Sequence, residues 1–172
     1  MTSNITSSQT IGPFSHEAWR WAVDATANVA STVETIVIEG IIRDGDGVPI
    51  NDAMIEAWLP DAFSVEAAHP IPGFRRIPSD DAGAFRLELS QATTPRLGEP
   101  AAYITVFARG LSKHQFSAVF LDDDAGLAES AILQQVPSER RATLIASKRG
   151  PAHYHWDIWM QTDKETVFFD YT

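Results

Sequence analysis

The chain has 172 residues, a length that suits one domain with a substantial buried core. Hydrophobic residues make up 44% and charged residues 21%, and there is no cysteine, which excludes disulfides, thiolate metal sites and a Cys nucleophile. A net charge of −10 argues against a nucleic-acid partner, and no apolar run approaches the roughly 20 residues needed to cross a bilayer.

Met1 to Gln9 is rich in Ser, Thr and Asn and reads as a mobile arm. Its polar start lacks the basic-then-apolar order of a secretory signal, so a cytoplasmic location is expected. Thr10 to Phe14 is a turn-forming stretch with apolar anchors. His16 to Ala30 suits a short helix or an irregular surface segment. Glu34 to Arg43 is the first strand, dense in β-branched residues, and Asp44-Gly45-Asp46-Gly47 is a turn closed by Pro49. Ala53 to Leu59 alternates as a second strand, with Met54, Glu56 and Trp58 facing opposite to Ile55 and Ala57.

Pro60 to Pro78 holds four prolines and no period, which predicts a loop. Asp80-Asp81-Ala82-Gly83 is a turn before a strand over Ala84 to Leu89, and Gln91 to Pro100 is a loop. Strands follow at Ala102 to Ala108 and Phe116 to Leu121. Asp122 to Ala146 carries the best helix signals, with Ser138 after Pro137 as a cap for a helix through Arg141, Leu144 and Ile145. Tyr154 to Gln161 and Thr166 to Asp170 predict a closing hairpin. Short strands separated by turns, without repeats, predict an all-β sandwich forming a single domain over residues 1–172.

Few residues suggest chemistry by themselves. His153 and His155 lie two apart on a predicted strand, so both imidazoles share a face and can meet one metal; the plainer alternative is a solvated strand edge. Asp122-Asp123-Asp124 offers oxygens for calcium or magnesium but lacks the spacing of a calcium loop. There is no G-x-S-x-G elbow and no phosphate loop. Glu56, mid-strand between apolar neighbours, suits a buried acid paired with an Arg. The residues alone describe a β-sandwich without a self-contained active site.

Several segments, in order, resemble the intradiol ring-cleaving dioxygenases, and specifically the α chains of two-chain members. They are Ser8-Gln9-Thr10-Ile11-Gly12-Pro13-Phe14; the hairpin from Glu39 through Gly47 and Pro49 to Trp58; Phe107-Ala108-Arg109-Gly110; Arg141 to Ala146; and Glu165 to Asp170. The resemblance runs from about Ser8 to the C-terminus. It implies the transthyretin-like sandwich of that family, with residues 1–33 as an arm packing on a partner subunit. It implies a hetero-oligomer of αβ units in which Fe(III) is held by two tyrosinates and two histidines of the β chain, and neither a catalytic nor a metal-binding residue here. The implied reaction is intradiol cleavage of 3,4-dihydroxybenzoate by O2 to 3-carboxy-cis,cis-muconate.

In this chain the strand matching the family's His-x-His ligands reads Ala102-Tyr103-Ile104-Thr105, and the preceding loop has no Tyr. Tyr154 falls in a closing segment that is structural in both chain types, so the resemblance gives His155 no ligand role. Thr10, Gly12, Pro13 and Phe14 match positions that line the substrate pocket, where a rigid Gly-Pro turn lets backbone approach a flat ring. Ala118 stands where the family's α chains usually carry an Arg that can meet the substrate carboxylate, which leaves the choice of catechol open. A transthyretin-like binding module without an enzyme partner is the alternative from another class.

Overall fold

The computed structural model describes residues 20–27, 34–60, 66–91 and 96–170. Among these are one short helix, α1 (Arg20–Thr26), and nine strands: β1 (Thr35–Arg43), β2 (Met54–Trp58), β3 (Phe74–Pro78), β4 (Ala84–Ser90), β5 (Ala102–Phe107), β6 (Gln115–Leu121), β7 (Ile145–Gly150), β8 (His153–His155) and β9 (Ile158–Trp159). The protein is all-β, as its sequence predicts.

The strands follow one path, β3-β2-β5-β6-β7-β8-β1-β4, with β9 beside β1. The path folds over so that β4-β1-β8-β7 and β3-β2-β5-β6 enclose one core. Ile36, Ile38, Ile42, Leu87 and Leu89 from the first half meet Ile55, Ile77, Ile104, Val106 and Val119 from the second. β1, legible from its density of β-branched residues, alternates without a break between buried and half-buried residues. The β1–β2 turn is tied by Asp44, whose Oδ1 accepts from the Asp46 and Val48 amides, and Gly47 supplies φ +80°. Asp80 and Gly83 repeat this device before β4.

Three expectations are corrected. The predicted loop Pro60 to Pro78 ends in β3, whose Arg75, Arg76 and Pro78 conceal a strand pattern. Arg75 is buried because Glu66 pairs with it, and Pro78 is tolerated at the end of an edge strand. The helix expected around Ser138 is absent: Leu127–Glu129, Leu133–Gln135 and Arg141–Leu144 are separate 3-10 turns, and Ile145 and Ala146 open β7. The Ser138 hydroxyl bonds Glu139, 3.3 Å away, and caps nothing. What holds this segment is packing: Leu133, Val136 and Leu144 cover Ala118 and Phe120 on the outer side of β6.

The closing hairpin is only partial. The Thr166 amide reaches the Trp159 carbonyl at 2.9 Å, but β8 and β9 pair in parallel with β1, and Phe169 bridges to Phe116 on β6.

The two ends of the strand path approach each other, and side chains close the seam. Arg75 of β3 donates through Nε to the Glu88 carbonyl of β4, 2.9 Å away. Its other nitrogens pair with Glu66, which also takes the Ser90 hydroxyl and the Gly73 amide. The free edge of β3 is covered by α1: the Thr26 hydroxyl accepts from the Arg76 amide at 2.9 Å and donates to the Ala22 carbonyl at 2.7 Å.

Candidate functional site

Thr10, Gly12, Pro13 and Phe14, the expected pocket positions, lie outside the described residues, as does most of the arm. The described residues place one other functional candidate: the outer face of the second half, where the resemblance sets the family's ligand-bearing strand. Cross-strand register puts Phe74, Trp58, Tyr103 and Ala118 in one row across β3, β2, β5 and β6. Trp58 is 49% exposed and Tyr103 37%, while Phe74 lies beneath Trp58 at 4.5 Å between ring centroids. Ile71 and Leu97 are further exposed apolar residues, in the segments leading into β3 and β5. The flanks of the face are covered by the chain itself, by α1 over β3 and by the 127–144 segment over β6.

The donors on this face do not suit a ferric ion. Its hard chemistry calls for phenolate, imidazole and carboxylate oxygen or nitrogen converging on one centre. The next row holds Arg76, Glu56 and Thr105, and Glu56 is committed to the ion pair with an Arg that its sequence context predicts, here Arg76, though it is half-buried and not buried as expected. Thr105 is buried. Among the described residues no three His, Cys, Asp or Glu side chains gather as metal ligands.

The histidine pair on β8 does share a face, with Tyr154 turned inward between them. Each imidazole has its own carboxylate: His153 Nε2 lies 2.9 Å from Glu39 Oε2, and His155 Nε2 lies 3.3 Å from Asp157 Oδ1. Glu39 is held below the usual carboxylate range by its hydrogen bond with His153, which with Arg86 outweighs the opposing effect of burial. Asp157 has a second task, accepting the Ile41 amide at 2.8 Å where the parallel pairing of β1 passes from β8 to β9.

The three-Asp run is likewise absorbed by local structure. Asp122 accepts from the Lys148 amide, and Asp124 from the amides of Gly98 and Gly126. Asp123 takes the Lys148 ammonium at 2.6 Å and the Tyr154 hydroxyl at 3.0 Å. The ammonium contact leads in holding Asp123 below its usual range, and burial leads in pushing the Tyr154 phenol up. Tyr154 is therefore a neutral donor in a structural network joining the start of the 122–144 segment to β7 and β8.

Comparison with solved structures gives the class. The dioxygenase domain of a dioxygenase–carbohydrate-binding fusion from Streptomyces sp. SirexAA-E matches with a TM-score of 0.59, over 83% of this chain and 88% of that one, at 11% identity. Catechol 1,2-dioxygenase from Acinetobacter sp. ADP1 matches at 0.54, over 78% and 55%, at 15% identity. The fold is thus that of the intradiol ring-cleaving dioxygenases.

No family model matches the chain. Curated relatives narrow the class. The protocatechuate 3,4-dioxygenase alpha chain of Burkholderia cepacia is 30% identical over 98% of both chains, and that of Pseudomonas putida is 31% identical over 96% of both. The chain belongs to the family of protocatechuate 3,4-dioxygenase alpha chains. The first alignment spans 194 positions against 172 residues here, so the relative carries insertions that this chain lacks.

Proposed function

We propose that this chain is the non-iron-binding subunit of a heteromeric protocatechuate 3,4-dioxygenase, located in the cytoplasm. The observation that carries the reading is the match, over nearly the full length, to two proteins named as alpha chains of that enzyme. The overall reaction adds both atoms of O2 across the bond between the two hydroxylated carbons of 3,4-dihydroxybenzoate, giving 3-carboxy-cis,cis-muconate. Fe(III) belongs to the partner β subunit. In support, the matching face here offers Trp58, Tyr103 and a buried Thr105, with Glu56 already neutralised by Arg76. The whole chain acts as a single domain, with residues 1–33 as an arm on the partner. Thr10, Gly12, Pro13 and Phe14 form a wall of the partner's substrate pocket, at a subunit boundary where binding sites form readily.

Ala118 bears on the substrate. It is 1% exposed and packed among Phe120, Leu133, Val136 and Leu144, so no guanidinium from that position meets a carboxylate. The partner supplies that contact if 3,4-dihydroxybenzoate is the substrate, and a catechol without the acid is the competing choice.

The test is affinity purification of the tagged chain from its native cell, with iron analysis, a visible spectrum and O2 uptake on both catechols. A coloured complex containing a second chain of similar size, with a tyrosinate-to-iron absorption band and ring-cleaving activity, supports the proposal. A purified chain that alone holds stoichiometric ferric iron and cleaves catechols overturns it, and so does a colourless, iron-free homo-oligomer. In the active complex, Phe14→Ala is expected to raise KM more than it lowers kcat; an unchanged KM removes the pocket-wall role.

A further inference from the structure

We propose that the outer face of β3, β2 and β5, at the end where Trp58 and Tyr103 stand, is the seat of the iron-bearing subunit. The inference rests on the subunit reading given above. Exposed apolar side chains scattered singly carry no message, whereas a cluster on one face does. Four of the six large apolar side chains exposed among the described residues gather here: Trp58, Ile71, Leu97 and Tyr103. Trp58 and Tyr103 are cross-strand neighbours on β2 and β5. Ile71 and Leu97 stand at the same end, in the turns that enter β3 and β5. The Ile71 carbonyl takes the Phe74 amide at 3.2 Å, and Gly98, next to Leu97, donates its amide to Asp124 at 2.8 Å.

The cluster is held in place before anything covers it. The Trp58 ring rests on the buried Phe74 ring, 4.5 Å between centroids, and the Arg76 guanidinium lies 5.4 Å from the same Phe74 centroid. An indole supported in this way loses little freedom on being covered, which suits it to anchor an interface.

Charge and position select the occupant. The ionised side chains bordering the face are matched within the chain: Glu56 with Arg76, and Arg96 with Glu99 at 4.0 Å. Asp124 is occupied by the Gly98 and Gly126 amides. On a chain of net charge −10, this face thus offers apolar area rimmed by paired charge. That is the anatomy of a protein interface, and it gives no purchase to a charged ligand or a basic tail. The face is also continuous with the arm that lies on the iron-bearing subunit in the proposed complex. The described part of that arm, α1, packs on β3, the outer strand of the same face. A partner gripped by the arm is thereby brought over Trp58 and Tyr103.

The experiment is dissociation of the purified heteromer into its two kinds of chain on serial dilution, followed by mass photometry. Trp58→Ala is expected to raise the midpoint concentration about 30-fold, the scale of an interface hot spot. Leu97→Asp, which sets an unpaired charge on the face and leaves the Trp58–Phe74 contact alone, is expected to raise it at least about ten-fold. Val48→Asp, at a 54% exposed position in the β1–β2 turn, is the control and is expected to leave the midpoint where it was. Should Trp58→Ala not fold, Leu97→Asp decides. A parent heteromer that forms, with the midpoint unmoved in the face variants, overturns the docking surface and leaves the subunit reading intact. Face variants that lose only a contact between copies of this chain overturn it as well. If no iron-bearing chain purifies with the parent, the subunit reading itself falls, and the docking surface with it.

Discussion

The two lateral regions of the strand path use the same kind of chemistry at opposite degrees of burial. At the seam between β3 and β4, Arg75 and Glu66 are almost wholly inside the protein, with every polar end engaged by Ser90, Gly73 and the Glu88 carbonyl. On the outer face of β1, Glu39 meets Arg86 and His153 with each side chain around half exposed. Water already solvates the second group, so losing a partner there costs little. The first group has no water to fall back on. Its pairing is obligatory, and the penalty for breaking it is the desolvation of whichever charge remains.

The largest expected effect follows from that contrast. Glu66→Gln leaves the Arg75 guanidinium buried without a counter-charge and is expected to cost about 3–5 kcal/mol of stability in denaturant unfolding. A loss near that of an exposed pair, under about 1 kcal/mol, would mean that the seam admits water. Burial pushes the Glu66 carboxyl up, but the Arg75, Ser90 and Gly73 contacts outweigh it and hold the folded-state value below the ordinary one. The stability it contributes is therefore present above the ordinary carboxyl range and lost as the pH falls through the folded value. The acid limb of the stability curve should be shallower in Glu66→Gln than in the parent.

Close approach of backbone tests the same half from another side. At Gly40, a Cβ would stand 1.8 Å from the Trp156 carbonyl oxygen, and the Trp156 amide bonds the Glu39 carbonyl at 2.9 Å. The obstacle is backbone, fixed by its own hydrogen bond, so it does not yield as the end of a flexible side chain would. Gly40→Ala is expected to cost about 3 kcal/mol, at the upper end of overpacking, measured by thermal or denaturant unfolding. Ala at Gly110, where nothing lies within 4 Å, meets only the strain of φ +91° and serves as the control. Equal losses at the two positions would show that backbone conformation, not crowding against Trp156, sets the cost.

These elements were not equally visible in the sequence. β1 was legible because β-branched residues crowd it, and the turns at Asp44 and Asp80 because one side chain and one Gly suffice to make each. β3 was hidden because its inward Arg75 becomes a core residue only through Glu66, nine positions away across a proline-rich stretch. β7 was hidden because Arg141 to Ala146 has helical composition, whereas its conformation is fixed by packing on Ala118 and Phe120. The same limit governs function. The paired histidines and the Asp run are real juxtapositions, but apart from Asp157 and the Gly126 amide the groups that occupy them, Glu39, Gly98, Lys148 and Tyr154, come from distant parts of the chain. The segment-by-segment resemblance located the family, because it draws on order along the whole chain and not on any one cluster.

Between the dry seam and the wet outer face lies an intermediate case, and it sharpens the comparison most finely. The Tyr154 ring is buried in the core while its hydroxyl donates to Asp123, whose other contact is the half-exposed Lys148. Tyr154→Phe keeps the ring and removes only that donor. Asp123 retains Lys148 and access to water, so no charge is stranded. The loss is then that of one hydrogen bond to a charged group, about 1.5 kcal/mol. Asp123→Asn removes the charge from both contacts and is expected to cost somewhat more, and the difference should shrink below the range in which Asp123 itself takes up a proton. If Tyr154→Phe were instead as costly as Glu66→Gln, the hydroxyl would belong with the buried seam, and burial of the ring, not solvent access at its tip, would decide the strength of a polar contact in this sandwich.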